Sequence, residues 1–210
     1  MNFQSTSSAI LRASQIICNG GIALFPTDTV YGLCSLPSDK SALERIYSLK
    51  GRPREKLMGL YLSDPFELNQ WVEADDTLLK TVISRLPGPY TFILNRKSSL
   101  PSELPEPFFG PTLGIRCPAQ METLSLIRSC GGSLAGTSAN LSGAPDVWLA
   151  RNLDPKIRNG VDFLLESSME CDLNSHKIPS TIIDLTEHRR IIRMGAGPVD
   201  KELEELITSL

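Results

Sequence analysis

Ile22-Ala-Leu-Phe-Pro-Thr-Asp-Thr-Val-Tyr-Gly32 joins a short apolar run to a polar segment, and this pairing indicates the fold class. Residues 22–25 have the length and character of a buried strand, which Pro26 ends. The threonines and the aspartate that follow stand where a strand opens into a loop, a usual place for binding groups in an α/β fold. The alternative for these residues is ordinary turn and cap chemistry.

Helices and strands alternate along the rest of the chain. Apolar residues at helical spacing predict helices at 7–18, after Ser38 or Asp39, after Asp64, after Asp75 or Asp76, at 121–127 and after Pro198. Further strands are predicted at 57–62, 91–94, 112–116, 133–135, 161–165, 181–185 and 191–193. Because short links separate the late strands, we expect one α/β domain over residues 1–210, with a mixed parallel and antiparallel sheet.

Composition excludes several classes of protein. The 210 residues carry a net charge of −3, and 41% of them are hydrophobic and 21% charged, as in ordinary globular domains. The negative charge argues against a protein that coats nucleic acid through its overall field. The apolar runs are too short to span a bilayer, and the N-terminus lacks the pattern of a secretory signal. We therefore expect a cytoplasmic protein without a membrane segment.

The cysteines and histidines do not form a metal-binding pattern. No CxxC pair occurs, and the two histidines are not at ligand spacing with each other or with the cysteines. We expect no protein-held metal site and mostly buried, reduced thiols. The residues concerned are Cys18, Cys34, Cys117, Cys130, Cys171, His176 and His188.

A cluster of positive charge occurs at Lys50-Gly-Arg-Pro-Arg-Glu-Lys56, where four of seven residues are cations. Pro53 lacks a backbone donor and disfavours helical geometry at Arg52, so the segment is predicted to be a turn. Several positive side chains at one turn favour binding of an anion. The alternative is a solvated basic turn without a ligand.

Other polar residues stand at the predicted strand ends, and in an α/β sheet such ends tend to meet at one crevice. Cations with small hydroxyl and amide groups suit a triphosphate or a carboxylated substrate. Carboxylates are scarce, Asp28 and Glu55 being the nearest, so acid–base chemistry by two carboxylates is disfavoured. The strand-end residues are Thr27, Thr29, Arg116, Ser138, Asn140, Ser180 and Arg193.

Six motifs in order carry a resemblance to a known family. They are Phe25-Pro-Thr-Asp-Thr-Val-Tyr-Gly-Leu33, Lys50-Gly-Arg-Pro53, Pro87-Gly-Pro-Tyr-Thr91, Gly114-Ile-Arg-Cys-Pro118, Thr137-Ser-Ala-Asn-Leu-Ser-Gly143 and Ser180-Thr-Ile-Ile-Asp-Leu185. Together they resemble the YrdC/TsaC family of threonylcarbamoyl-AMP synthases, in its short, single-domain form. The resemblance covers residues from about 22 to 197.

The resemblance implies a YrdC-like twisted mixed sheet with flanking helices around a positively charged cavity. It implies that L-threonine and bicarbonate give N-carboxythreonine, whose carboxylate attacks the α-phosphorus of ATP and releases pyrophosphate. ATP is then a substrate, with Mg²⁺ held mainly by its phosphates. The product, threonylcarbamoyl-AMP, would pass to a transferase complex that modifies adenosine in certain tRNAs.

The resemblance also assigns a paired signature, K-x-R with S-x-N, to four residues. Lys50 and Arg52 are its first half and the expected catalytic pair, acting with Lys56 on phosphates and the substrate carboxylate. Ser138 and Asn140 are its second half, expected on polar atoms of nucleotide and threonine.

The remaining site residues follow from the same resemblance. Thr27 is expected to contact threonine, and Arg116 the phosphates or a carboxylate. Ser180 and Arg193 are expected on the nucleotide side, whereas Arg54 should face water. The alternative for Thr27 and Ser180 is a strand-end cap, and for Arg193 a surface position on a strand.

The chain departs from the family pattern at several positions. Cys34 and Gly136 replace a residue that is usually Gly and one that is often Pro, and Leu57 stands where a Pro-Leu pair is frequent. Gln120 replaces a His of some relatives, which puts a threonine contact there in doubt. Asp146-Val-Trp148 replaces a Thr-containing helix start, which weakens a nucleotide contact there.

Two other functions remain open at this point. One is a YrdC-like module that binds structured RNA through a basic concave face without ATP chemistry, against which the net acidity counts. The other is a paralogous enzyme that acts on another carbamoyl-type substrate. The complete K-x-R and S-x-N pairing favours the synthase over the paralogue.

Overall fold

A computed structural model describes residues 3–98, 100, 104–166 and 177–208. The helices are α1 Phe3–Cys18, α2 Lys40–Lys50, α3 Leu68–Trp71, α4 Asp76–Ile83, α5 Met121–Ser129, α6 Pro155–Gly160 and α7 Lys201–Thr208. The strands are β1 Ala23–Phe25, β2 Gly32–Ser35, β3 Gly59–Leu62, β4 Tyr90–Asn95, β5 Thr112–Arg116, β6 Ser133–Ser138, β7 Phe163–Leu164, β8 Thr181–Asp184 and β9 Arg190–Arg193. Short 3₁₀ turns occupy Pro65–Glu67 and Ala150–Asn152.

The strands form one mixed sheet in the order β7-β1-β2-β6-β3-β5-β4-β8-β9. Three neighbouring pairs are parallel, namely β1 with β7, β3 with β5 and β4 with β8. The other five pairs are antiparallel. The prediction of an α/β fold with a mixed sheet is therefore confirmed.

The two faces of the sheet carry different layers. Leu60 and Leu62 of β3 belong to the larger apolar cluster, which also holds the buried residues of α2 and α4. Tyr61 points to the other face, as strand alternation requires, and lies in a smaller cluster with residues of α1 and α5. Helices thus flank both faces, and α1 and α5 pack against each other on the second face.

Helix ends agree with local sequence chemistry. Asp39 accepts a hydrogen bond from the backbone amide of Ala42 at 2.9 Å, and Asp75 caps α4 in the same way. Gly51 has a left-handed φ of 60° and ends α2, which places the basic turn directly after the helix. The predicted helix start after Asp39 and the turn at 50–56 are confirmed.

Several predicted boundaries were wrong. β2 was not predicted, because its four residues Gly32–Ser35 show no apolar alternation, yet all are buried between β1 and β6. β6 continues to Ser138, so residues 136–138 pair with β2 instead of forming a loop. Met121 was placed on the buried face of α5 but is 74% exposed.

Other sequence-based expectations concern cysteines and the membrane. Cys34, Cys117 and Cys130 are buried free thiols, and Cys18 is a free thiol at the surface. Cys171 and His176 lie outside the described residues. Across the described ranges, no helix combines the length and the apolar character needed to cross a bilayer.

Three glycines lie side by side across the centre of the sheet. Gly59 of β3 is paired with Gly114 of β5 on one side and with Gly136 of β6 on the other. A Cβ on Gly136 would lie 2.5 Å from Cε2 of Tyr61. The Tyr61 ring is held in place by an edge-to-face contact with Phe25, at a centroid distance of 5.4 Å. The missing side chains leave this glycine row as a shallow depression in the sheet.

The glycine row gives a stability prediction. We expect Gly136→Ala to lower the free energy of unfolding by about 1–3 kcal/mol, because the packed Tyr61 ring must move. Gly114→Ala is the matched control, since its Cβ would meet only the Thr91 methyl at an ordinary 3.5 Å. Urea unfolding of both variants measures the difference, and equal midpoints would contradict this account of the row.

Candidate functional site

A cavity of about 810 Å³ lies on the Tyr61 face of the sheet, with the glycine row among its lining residues. This volume is in the usual range of small-molecule sites. Strands β3, β4, β5, β6, β8 and β9 and the turn after α2 all contribute to the wall. Because Gly114 has no side chain and only the Thr91 methyl stands near its missing Cβ, a ligand can approach the backbone of the sheet there.

Cations outnumber carboxylates in this cavity. Arg52 and Lys56 come from the basic turn, Arg116 from the end of β5 and Arg193 from the end of β9. The two carboxylates in the wall are Glu55 and Asp146. Small hydroxyls complete the polar lining, at Thr91, Thr112, Thr137, Ser138 and Ser180.

Arg52 is held by three acceptors of the protein. Its Nε donates to the carbonyl of Lys56 at 2.9 Å, and its Nη2 donates to the carbonyl of Leu57 at 2.6 Å. Its Nη1 donates to Oγ1 of Thr137 on β6 at 3.1 Å. Arg52 therefore fixes the chain that follows the turn against the neighbouring strand, and it still lines the cavity.

Lys50 lies beside the cavity and is 3% exposed. Its ammonium donates to the carbonyls of Ser138 and Asn140, the latter at 2.6 Å, and lies 3.4 Å from Oδ1 of Asn140. Burial, followed by repulsion from Arg52 and Lys56, lowers the pKa of Lys50 to about 7, while Asp146 acts in the opposite direction. Lys50 thus joins the end of α2 to the segment after β6.

Arg116 forms a buried ion pair with Asp28, in which both side chains are 6% exposed. Its Nη2 donates to Oδ1 of Asp28 at 2.9 Å and to Oγ1 of Thr29 at 2.8 Å. Nε of Arg116 and Oδ2 of Asp28 are buried and have no hydrogen-bond partner in the described part of the chain. A buried arginine with a spare donor at a cavity wall is suited to an anionic ligand.

Arg193 is anchored to the strand beside it. Its Nε and Nη2 donate to the carbonyl of Ser180 at 3.1 and 2.9 Å, and the Oγ of Ser180 lies 2.8 Å from Oγ1 of Thr91. Burial is the main cause of a lowered pKa at Arg193, with a smaller contribution from Arg116. The guanidinium is thus held at the wall with some of its donors still available.

Lys56 is exposed and lines the cavity, and no contact of its ammonium is found among the residues that the structure describes. Asp146 also has no hydrogen bond or ion pair within that part of the chain, although it acts electrostatically on Lys50 and Arg193. Over the same ranges, no three His, Cys, Asp or Glu side chains lie close enough together to hold a metal ion.

The structure brings most of the predicted site residues to one place. The residues that line the cavity are Arg52, Lys56, Arg116, Ser138, Ser180 and Arg193. Lys50 and Asn140 lie behind that wall in contact with Ser138, whose Oγ donates to Oδ1 of Asn140 at 2.5 Å. Thr27 is buried, and its hydroxyl donates to the carbonyl of Val30 at 2.6 Å within its own loop.

Residues missed from the sequence include Thr91, Tyr61 and Asp146. Thr91 lies in a motif quoted above, and strand alternation would have placed it on the Arg116 face once the sheet order was known. Asp146 was noted only as a departure from the family pattern. Arg54 is at the surface, where its guanidinium pairs with Glu44. Gln120 is buried and donates to Glu122 at 2.8 Å.

Comparison with known proteins finds relatives that match most of the chain. A family model for Sua5, YciO and YrdC proteins, described as "Telomere recombination", matches residues 15–195. A Methanocaldococcus jannaschii protein named "Putative threonylcarbamoyl-AMP synthase" is 29% identical over 188 residues, which is 88% of this chain and 84% of that protein.

Two solved structures extend the comparison. P. abyssi Sua5, crystallised with L-threonine, aligns with a TM-score of 0.80 and 27% identity over 95% of this chain. This chain spans only 57% of the length of that Sua5 chain. E. coli YciO aligns with a TM-score of 0.77 and 28% identity over 91% of both chains. The sheet, the ordered motifs and the family match show that the chain belongs to the Sua5/YciO/YrdC family.

Proposed function

We propose that this protein is an L-threonylcarbamoyladenylate synthase, which makes threonylcarbamoyl-AMP and pyrophosphate from L-threonine, bicarbonate and ATP. The observation that carries the proposal is the convergence of four cations, from three separate parts of the chain, on one glycine-floored cavity. The name of the M. jannaschii relative and the threonine bound to P. abyssi Sua5 support the same assignment.

The reaction needs a site that stabilises phosphate charge and supplies no covalent group. The amino group of threonine and bicarbonate give N-carboxythreonine and water. A carboxylate oxygen of that intermediate then forms a bond to the α-phosphorus of ATP, while the bond to the pyrophosphate oxygen breaks. Negative charge spreads over the phosphoryl oxygens and the leaving pyrophosphate, so fixed cations lower the barrier.

The cavity residues divide these tasks by position. Lys56 and Arg52 of the basic turn bind the phosphates, with Lys56 contributing a free ammonium. Arg116 brings the positive charge of its guanidinium to an anionic group near the glycine row. The hydroxyl oxygen of Ser138 accepts from polar groups of the substrates, and Ser180 and Arg193 lie on the nucleotide side. Two of the predicted site residues, Thr27 and Asn140, act through the loops that they hold together.

In this proposal Lys50 positions other residues of the site and does not contact the substrates. Its ammonium fixes the backbone of Ser138 and Asn140, and its positive charge lies behind the wall that faces the phosphates. The residues present fit a Mg²⁺ ion that enters with ATP, because such ions need only one or two carboxylates beside substrate phosphates. Glu55 is the carboxylate that would hold it, and the ion would neutralise phosphate charge.

The product is an activated threonylcarbamoyl group. We propose that a tRNA-modifying transferase complex receives it and that the protein works in the cytoplasm. The cavity is a site for small molecules, and the proposal does not require the protein to hold tRNA itself.

The reaction itself is the first test. We expect purified protein with Mg²⁺, ATP, L-threonine and bicarbonate to release pyrophosphate and to form threonylcarbamoyl-AMP, detected by chromatography and mass spectrometry. Omission of threonine or of bicarbonate should abolish both signals. Pyrophosphate release that does not depend on threonine and bicarbonate would contradict the assigned reaction.

Lys56 gives a sharper test of the basic turn. We expect Lys56→Ala to lower kcat/KM for ATP by at least about tenfold, since one charge-assisted phosphate contact is worth about 1.5–3 kcal/mol. The urea midpoint should not change, because the side chain is exposed. Lys80→Ala is the matched control, as Lys80 is an exposed lysine on α4 away from the cavity. Equal activity of both variants would show that the turn is only a surface feature.

Lys50 predicts a pH dependence of stability. Its pKa is about 7 in the folded protein, against an ordinary value of 10.5 for lysine, so between these values the unfolded chain binds more protons. The free energy of unfolding should therefore rise with pH from 7 towards 10.5, by at most about 1.4 kcal/mol per pH unit from this group. Urea unfolding at pH 7, 8 and 9 measures the difference between wild type and Lys50→Met. A difference that stays constant with pH would refute the prediction.

A further inference from the structure

One aromatic side chain lies beside the cavity and has no role in the site described above. Trp148 and the cavity residue Asp146 flank Val147 in a stretch without helix or strand. Val147 packs on the core, and its carbonyl accepts a hydrogen bond from the amide of Tyr31 at 2.6 Å. Since two residues span at most about 7 Å of chain, the half-buried Trp148 is close to the cavity residue Asp146.

Lys177 covers the Trp148 ring. Its ammonium is 5.0 Å from the ring centroid, and the lysine is exposed and has a left-handed φ of 55°. Pro179 and Ser180, which follow Lys177 closely in the chain, line the cavity. The contact therefore brings together the segment that holds Asp146 and the segment that holds Pro179, both of which contribute residues to the cavity wall.

We propose that the Trp148 indole is the stacking surface for the purine base of a nucleotide whose phosphates lie on the cavity cations. The inference rests on the proposed function and adds the group that recognises the base. Trp148 lies outside the six motifs that carry the family resemblance, in the stretch Asp146-Val-Trp148.

The order of chemical groups along the cavity matches the order in a nucleotide. The cations come first, and Asp146 is near enough to Arg193 and Lys50 to affect both electrostatically. Trp148 is two residues further, so the Cα atoms of the two residues are at most about 7 Å apart. Phosphates on the cations place the ribose hydroxyls at the Asp146 carboxylate, an acceptor suited to them. The base then lies at the indole.

The strength of the two contacts decides which group occupies the ring. An exposed cation–π contact changes an equilibrium by about two- to fivefold. Stacking of a base on an aromatic side chain changes it by about 5- to 150-fold. The base therefore displaces the Lys177 ammonium, and the exposed lysine side chain can move away at little cost.

A comparison of Mg-ATP with Mg-tripolyphosphate separates the contribution of the base to binding from that of the phosphates, because tripolyphosphate has no base. We expect Trp148→Ala to weaken Mg-ATP binding at least fivefold and to leave tripolyphosphate binding within twofold, measured by calorimetry. Trp148→Phe, which keeps a stacking surface, should stay within about threefold of the wild type for both ligands. Equal weakening of both ligands in Trp148→Ala, or unchanged ATP binding, would overturn the inference.

Fluorescence gives a second measurement that does not depend on the folding of Trp148→Ala. The chain has two tryptophans, and Trp71 is buried in the core. In Trp71→Phe, only Trp148 emits, and we expect quenching by Mg-ATP but not by tripolyphosphate. ATP that binds without quenching overturns the stacking role alone. A wild-type protein that binds neither ligand overturns both this role and the proposed function.

Discussion

Like charges that face one another in a confined space must be held there by the fold. Two unit charges 4 Å apart repel by about 4 kcal/mol at the effective dielectric constant of a protein surface. Here each of these cations has oxygen acceptors at a fixed place. Arg52 donates to the carbonyls of Lys56 and Leu57, Lys50 to those of Ser138 and Asn140, and Arg193 to that of Ser180. Arg116 has the carboxylate of Asp28. The positions of these acceptors follow from the sheet, so the electrostatics of the site depend on strand register.

Strand register in turn depends on small residues at the centre of the sheet. Gly59, Gly114 and Gly136 leave room for the Tyr61 ring and for the cavity on one face. The opposite face of the same strands carries Leu60 and Ala135 in the main core. One set of strands therefore provides both a packed core and an open polar wall, since alternate residues face opposite ways.

Helix caps and turns could be predicted from the sequence, whereas strand pairing and hydrogen bonds between distant residues could not. The caps at Asp39 and Asp75 and the turn after α2 depend on neighbouring residues, so they could be predicted. β2 could not, because its four residues become a strand only through pairing with β1 and β6. Strand ends correctly indicated that Arg116, Ser138, Ser180 and Arg193 converge, but they also included Thr27 and missed Thr91. They did not show that the Lys50 ammonium faces carbonyls, since those acceptors are 88 and 90 residues away.

The way in which each cation is held also limits how a ligand can be bound. A guanidinium has five N–H donors, and the protein uses three nitrogens of Arg52 and two of Arg193. Their remaining donors have fixed directions, so a bound anion would meet groups that need no rearrangement. Lys56 differs, because its ammonium is exposed and must lose side-chain freedom on binding. The fixed arginines therefore set the position of an anion, and the lysine adds charge once the anion is in place.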